Sequence, residues 1–171
     1  MNLKDHIRGV PDFPKPGILF YDIGTLLADG PAWQETIRQV SDIVREEKPD
    51  ILFGIESRGF LIASPVAANL GIGMAMIRKK GKLPGKTASI SYGLEYGTDV
   101  LEIQEGVFKS GLRAVVIDDL LATGGTTKAA IQLARQRGAH VTRVACVIEL
   151  TFLHGRNQLD VPVSSLLQYD D

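Results

Sequence analysis

The sequence predicts an α/β fold: a central parallel sheet flanked by helices. Three observations carry that prediction. Apolar runs of strand length alternate with segments of helical pattern, the order expected of successive β-α-β units. The runs are almost wholly apolar instead of alternating with polar residues, which is how strands covered on both faces read. Glu56, Asp118 and Glu149 fall at or near the ends of three of them. Right-handed crossovers gather those carboxyl ends along one edge, where open α/β sheets bind ligands.

In chain order, PAWQETIRQVSDIVREE places Trp33, Ile37, Val40 and Val44 at spacings of three and four, with Pro31 near the start; that is an amphipathic helix. Pro49 ends it, and DILFGIE is the first sheet strand. SRGFLIASPVAANLG has a helical pattern with Gly71 as its stop, although Pro65 removes a backbone donor within it. GMAMI is a strand and LRAVVID the next. A helix follows from about Gly125 to Arg137, closed by Gly138. HVTRVACVIEL is a further strand and VSSLLQY the last. Residues 79–106 break the rhythm: they are Gly-rich and polar, with TASISYGLEYG and TDVLEIQ resembling two short strands. An excursion of this length inside a compact domain is usually a functional loop or lid.

The 171 residues suit one domain with a substantial core. Hydrophobic residues make up 44% and charged residues 23%, and the formal net charge is -1. A protein devoted to the nucleic-acid backbone would carry a basic excess, so no nucleic-acid partner is expected. No apolar run approaches the ~18 residues that cross a bilayer. The first residues, MNLKDHIRGV, carry charge where a signal peptide would be apolar, so no membrane partner and a cytoplasmic location are expected. Cys146, the only cysteine, reads as a buried strand thiol. His6, His140 and His154 lack metal-ligand spacing and read as structural or surface residues.

The chemistry concentrates in VVIDDLLATGGTT, Val115 to Thr127. Ala122 to Gly125 joins a strand end to a helix start, where backbone N–H groups and the helix dipole favour an anion such as phosphate. Gly124 and Gly125 let the backbone close around it, and Thr123, Thr126 and Thr127 add hydroxyls. A simpler reading makes Thr123 or Thr126 an ordinary helix cap, but that leaves Asp118 and Asp119 unexplained. Neither the G-x-x-x-x-G-K-[ST] phosphate loop nor the G-x-G-x-x-G dinucleotide pattern is present. Two carboxylates ahead of a phosphate cradle suit a ligand with vicinal hydroxyls one sugar's width from its phosphate. A ribose 5-phosphate has that form.

Strand–Asp-Asp–x-x-x-Thr-Gly-Gly-Thr also resembles the phosphoribosyl-pyrophosphate (PRPP) motif of the type I phosphoribosyltransferases. The longer string is similar to that of the adenine phosphoribosyltransferases among them. DFPKPGILFYDI, ESRGF, IRKKGKLPG, LEYGTDVLEI and SLLQY resemble the same family in the same order, across nearly the whole chain. The resemblance implies the type I phosphoribosyltransferase fold in a single domain, with residues 1–30 as a hood over the base site and 79–106 as a flexible lid loop. It implies a glycosyltransferase of purine salvage that joins adenine to PRPP, giving AMP and pyrophosphate, with Mg2+ held by substrate phosphates. No protein residue is assigned as a direct metal ligand, in keeping with magnesium's preference for water and substrate oxygens.

Carried over residue by residue, the resemblance assigns Asp118 and Asp119 to the ribose hydroxyls and Ala122, Thr123, Gly124, Gly125 and Thr126 to the 5-phosphate. Arg58, Lys79 and Lys82 fall to pyrophosphate; a guanidinium fork suits that anion, and RKKGKLPGK holds five positive residues in nine positions. Glu95 is the catalytic carboxylate, either taking the proton that the purine loses or positioning the base. Leu19, Tyr21 and Leu150 are the adenine contacts. Tyr21 stands where the family commonly has Arg, Lys or Gln, and Gly24 where Ser or Thr is usual. The loop implies a homodimer, since part of it can reach a neighbouring subunit's site. Two other readings differ in substrate or class: the same chemistry on hypoxanthine, guanine or xanthine, and a PRPP-sensing regulator.

Overall fold

Strand β3 (Ile51–Ile55) is buried at all five positions, because its two faces are covered by different helices. Gly54 faces one helix: a Cβ there would stand 3.0 Å from the Ala63 side chain and 3.2 Å from Phe60. Ile51, Phe53 and Ile55 point the other way, into a cluster with Ala129, Ala130, Ile131, Leu133 and Ala134. The computed structural model describes residues 1–94 and 96–171, and they form two compact units, 1–39 and 40–171.

In the first unit, β1 (Arg8–Pro11) and β2 (Leu19–Asp22) form an antiparallel pair in register from Arg8 opposite Asp22 to Pro11 opposite Leu19. The Arg8 guanidinium meets the Asp22 carboxylate at 2.6 Å. Phe13 and Phe20 pack edge to face with centroids 5.2 Å apart. Helix α1 (Gly24–Ala28) follows, and α2 (Gly30–Glu46) begins here and runs on into the second unit. Its predicted apolar stripe is present: Ile37, Val40 and Val44 are buried.

The second unit is built on a seven-stranded sheet in the order β5-β6-β4-β3-β7-β8-β9. Its strands are β3, β4 (Gly73–Lys79), β5 (Thr87–Gly93), β6 (Thr98–Gln104), β7 (Arg113–Leu121), β8 (His140–Leu150) and β9 (Val163–Tyr169). β4, β3, β7, β8 and β9 are parallel neighbours, whereas β6 runs antiparallel to β4 and to β5. The predicted parallel sheet is therefore present, with a hairpin added to one edge. Helix α3 (Arg58–Leu70) connects β3 to β4 and packs on β3, β4 and β7; α4 (Gly125–Gln136) connects β7 to β8. From β3 the chain winds to one side through α3, and from β7 to the other through α4. The carboxyl ends of β3 and β7 thus flank the switch point, where open α/β sheets leave a crevice.

Two expected features are present, the strands of 79–106 and the helix through Pro65, and the extent of β7 changes. Most of 79–106 is strand: Leu101 and Ile103 are fully buried, and that apolar pair gives β6 a reason to join the sheet, with β5 beside it. β7 continues beyond Asp118 to Leu121, so the acidic pair lies within the strand. Pro65 sits inside α3, which runs unbroken because Ile62, Ala63, Val66 and Ala67 bury its inner face.

Candidate active site

The turn after β7 is shaped from behind. Gly124 has φ 89°, a left-handed conformation that glycine adopts without cost. A Cβ on Gly124 would lie 2.4 Å from the Gly155 carbonyl oxygen, and a Cβ on Gly155 would lie 2.2 Å from the Ala122 oxygen. The two backbones therefore touch through paired glycines. The Gln158 amide donates to the Thr123 carbonyl at 3.1 Å. Gly155 and Gln158 belong to a short 3-10 turn (Gly155–Gln158), anchored by a two-pronged ion pair between Arg156 and Glu149 at 2.7 and 2.5 Å. Glu149 is buried and also accepts from Ser165 at 2.7 Å. Its carboxyl is held below the usual range by the Arg156 hydrogen bonds, against the opposing effect of burial. α4 starts without a side-chain cap, which removes the ordinary-cap reading; the Thr126 hydroxyl donates instead to the Tyr92 hydroxyl at 3.3 Å. The uncapped helix start suits an anion.

Asp118 and Asp119 lie on β7, separated from this turn by Leu120 and Leu121. Neighbours on a strand point to opposite faces, yet both residues line the same cleft. The Asp119 carboxylate meets Arg58 Nε at 2.5 Å, and the Asp119 N–H donates to Asp118 Oδ1 at 2.8 Å. Asp118 lies against the start of α3: a Cβ on Gly59 would come within 3.1 Å of its Oδ1. Burial, and then the adjacent Asp119 charge, push the Asp118 carboxyl well above its usual range, while Arg58 opposes the shift. The Glu56–Ser57 peptide leading into α3 is cis. Glu56 accepts from the Lys79 N–H at 3.0 Å.

One cleft of about 440 Å³ brings together Ile55 to Arg58, Lys79, the acidic pair and the turn from Ala122 to Thr127. Of the residues named from sequence, Arg58, Lys79, Asp118, Asp119 and Ala122 to Thr126 therefore share one site. Lys82 lies exposed in the turn beyond β4 and outside the cleft lining. Leu19 and Tyr21 lie on β2 in the first unit. Leu150 ends β8 and is not among the cleft residues. Glu95 lies outside the described residues. Among the described residues no cluster of three His, Cys, Asp or Glu side chains is arranged to hold a metal, and no helix is long and apolar enough to cross a membrane. Cys146 is fully buried on β8, and burial pushes its thiol upward.

Comparison with known proteins decides the family. A phosphoribosyl transferase domain model matches residues 23–162. The chain is 61% identical over 170 residues to the adenine phosphoribosyltransferase of Rhodospirillum rubrum, covering 99% of each. The chain belongs to the adenine phosphoribosyltransferase family. The solved adenine phosphoribosyltransferase of Thermoanaerobacter pseudethanolicus superimposes with a TM-score of 0.94 at 44% identity, covering 98% of both chains. That of Saccharomyces cerevisiae, complexed with an imino-altritol bisphosphate and adenine, does so at 0.91 and 38%, covering 96% of each.

Reading the sequence for this family missed Tyr92, Asp99, Arg156 and Gln158. Lys79 Nζ donates to the Tyr92 hydroxyl at 3.0 Å and pairs with Asp99. Each missed residue acts on a partner 13 or more positions away, except Arg156, seven residues from Glu149. The one available signal was HGRNQ (His154 to Gln158), a segment with a glycine and an arginine that three residues separate from the strand ending in Glu149 and Leu150.

Proposed function

We propose that this chain transfers the 5-phosphoribosyl group of PRPP to adenine, forming AMP and releasing pyrophosphate. The observation that carries the reading is the sharing of one cleft by the Asp118–Asp119 pair, the uncapped α4 turn, Arg58 and Lys79. In the reaction the bond from ribose C1 to pyrophosphate oxygen breaks, a bond from C1 to purine N9 forms, and the purine's N9 proton leaves. Asp118 and Asp119 accept hydrogen bonds from the ribose hydroxyls and offset the positive charge that develops on the ring. The turn from Ala122 to Thr126 receives the 5-phosphate. Arg58, Lys79 and Lys82 take the pyrophosphate, whose departing charge they neutralise.

Adenine lies against Leu19, Tyr21 and Leu150 under the hood of residues 1–30. Glu95, on the lid of residues 79–106, takes the N9 proton or orients the base as the site excludes water. Mg2+ fits this donor set as a passenger of the substrate: the cleft offers two neighbouring carboxylates, one already paired with Arg58. When bound, it supplies charge neutralisation on the pyrophosphate. The working form is a cytoplasmic homodimer.

The test follows pyrophosphate release from PRPP and Mg2+ with adenine, hypoxanthine, guanine or xanthine in turn. Release with adenine alone is expected. Release only with another base would overturn the adenine assignment and point to Tyr21 and Gly24; PRPP binding without release would favour a regulator.

A further inference from the structure

We propose that Asp99 and Tyr92 are positioning residues that set the Lys79 ammonium toward the phosphates of the substrate and couple the β5–β6 hairpin to the α4 turn. This deepens the function above and rests on its reading of Lys79 as a pyrophosphate contact and Thr126 as part of the phosphate cradle.

The sheet register places the group together. Lys79, the last residue of β4, pairs with Leu101 on β6. Asp99 lies two positions along β6 from Leu101, and Tyr92 of β5 stands directly opposite Asp99. Residues two apart on a strand, and residues opposite across a pair, share one face. All three side chains therefore project on the face that α4 covers. The Lys79 ammonium pairs with the Asp99 carboxylate, donates to the Tyr92 hydroxyl at 3.0 Å and lies 5.6 Å from the centre of that ring. From the other side, the Thr126 hydroxyl donates to the same Tyr92 oxygen at 3.3 Å.

A lysine ammonium is a point charge on a flexible stem of four carbons, so its position needs partners. Here the partners are a carboxylate and a phenol on two strands of one hairpin. Burial works against the Lys79 charge, but its hydrogen bonds to Asp99 and Tyr92 outweigh that effect and hold the ammonium above its usual range. The Asp99 carboxyl is held low in turn, chiefly by Lys79. Tyr92 is shared between Lys79 and Thr126, so a shift of the hairpin moves the pyrophosphate contact against the 5-phosphate turn.

The experiment is a mutant cycle on steady-state kinetics. Tyr92→Phe and Asp99→Asn are each measured alone and combined with Lys79→Ala, with thermal melts of every variant. Each single substitution is expected to raise KM for PRPP about 10- to 150-fold, the range for one hydrogen bond to a charged group, with KM for adenine changed less than about twofold. In the Lys79→Ala background each is expected to add almost nothing, and Asp99→Glu is expected to recover part of the loss. Full multiplication of the effects in that background, or no change in KM for PRPP from either single variant while Lys79→Ala raises it, overturns the inference. No effect of Lys79→Ala itself overturns the pyrophosphate role of Lys79 and the inference with it, leaving the adenine assay above to judge the reaction separately. Tyr92→Phe keeps the ring and its packing, so it reports on the hydroxyl even if Asp99→Asn fails to fold.

Discussion

Gly155→Ala is the sharpest probe of the phosphate turn, because it adds one methyl group behind the turn and touches no ligand contact. The new Cβ would start 2.2 Å from the Ala122 oxygen and 3.1 Å from the Gly124 nitrogen. Both are backbone atoms, so no side chain can swing aside. Restoring an ordinary contact of about 3.4 Å requires the two backbones to part by about 1.2 Å. The Glu149–Arg156 ion pair resists movement on the Gly155 side, so much of the displacement falls on Ala122 to Gly124. Overpacking of this kind costs about 1–3 kcal/mol, or roughly 2–4 °C of Tm per kcal/mol at this chain length. Displacing a positioned group by about 1 Å costs about 100-fold in rate. The assay is kcat/KM for PRPP, read beside a thermal melt. A fall of one to two orders of magnitude in kcat/KM is expected, far beyond what the modest melt shift explains. Wild-type kcat/KM in a folded Gly155→Ala protein would refute the claim that the Gly155 turn sets the shape of the phosphate turn.

The acidic pair and its strut give two more expected outcomes. Replacing both Asp118 and Asp119 with Asn removes two charged acceptors at about 1.5–3 kcal/mol each, so kcat/KM for PRPP falls by about 10²- to 10⁴-fold. Relief of the disfavoured Asp118 charge offsets part of the lost Asp119–Arg58 ion pair, so the protein is expected to stay folded; turnover near wild type would sink the ribose assignment. Glu149→Gln loses a buried, doubly hydrogen-bonded carboxylate, about 2 kcal/mol, and its melt at neutral pH falls by about 4–8 °C. The folded carboxyl of Glu149 titrates below its unfolded counterpart. The stability it contributes is therefore present above the unfolded carboxyl range, near pH 4.3, and is lost as the pH falls through the folded value. The gap between wild type and Glu149→Gln should accordingly close on acidification, and a gap independent of pH would contradict the ion-pair account.

Much of this was legible in the chain itself. The helical spacing of Ile37, Val40 and Val44, the apolar strand ILFGI and the Asp-Asp to Thr-Gly-Gly-Thr interval are statements about neighbours in sequence, and local periodicity and turn chemistry follow from neighbours. The motif located the acidic pair, and the family resemblance of ESRGF and IRKKGKLPG named Arg58 and Lys79; the fold brings all four to one cleft. The extent of β7 was misread because its apolar pattern ends at the acidic pair while its ladder to β8 continues through Leu120 opposite Ile148. A ladder depends on the register between two strands, and that register is not written in the pattern of either strand alone.

The sequence by itself determined the alternation of strands and helices, the two-sided burial of the central strands and the chemistry of the turn before α4. Tertiary structure alone decided that Tyr92 and Asp99 stand opposite each other beside Lys79, that a polar excursion becomes the edge of the sheet, and that Gly155 closes on Gly124 with Arg156 locked to Glu149. The physical reason is common to all three. Backbone sterics and hydrophobic period act over a few residues, whereas register, backbone approach and ion pairing join positions whose distance in sequence says nothing about their distance in space.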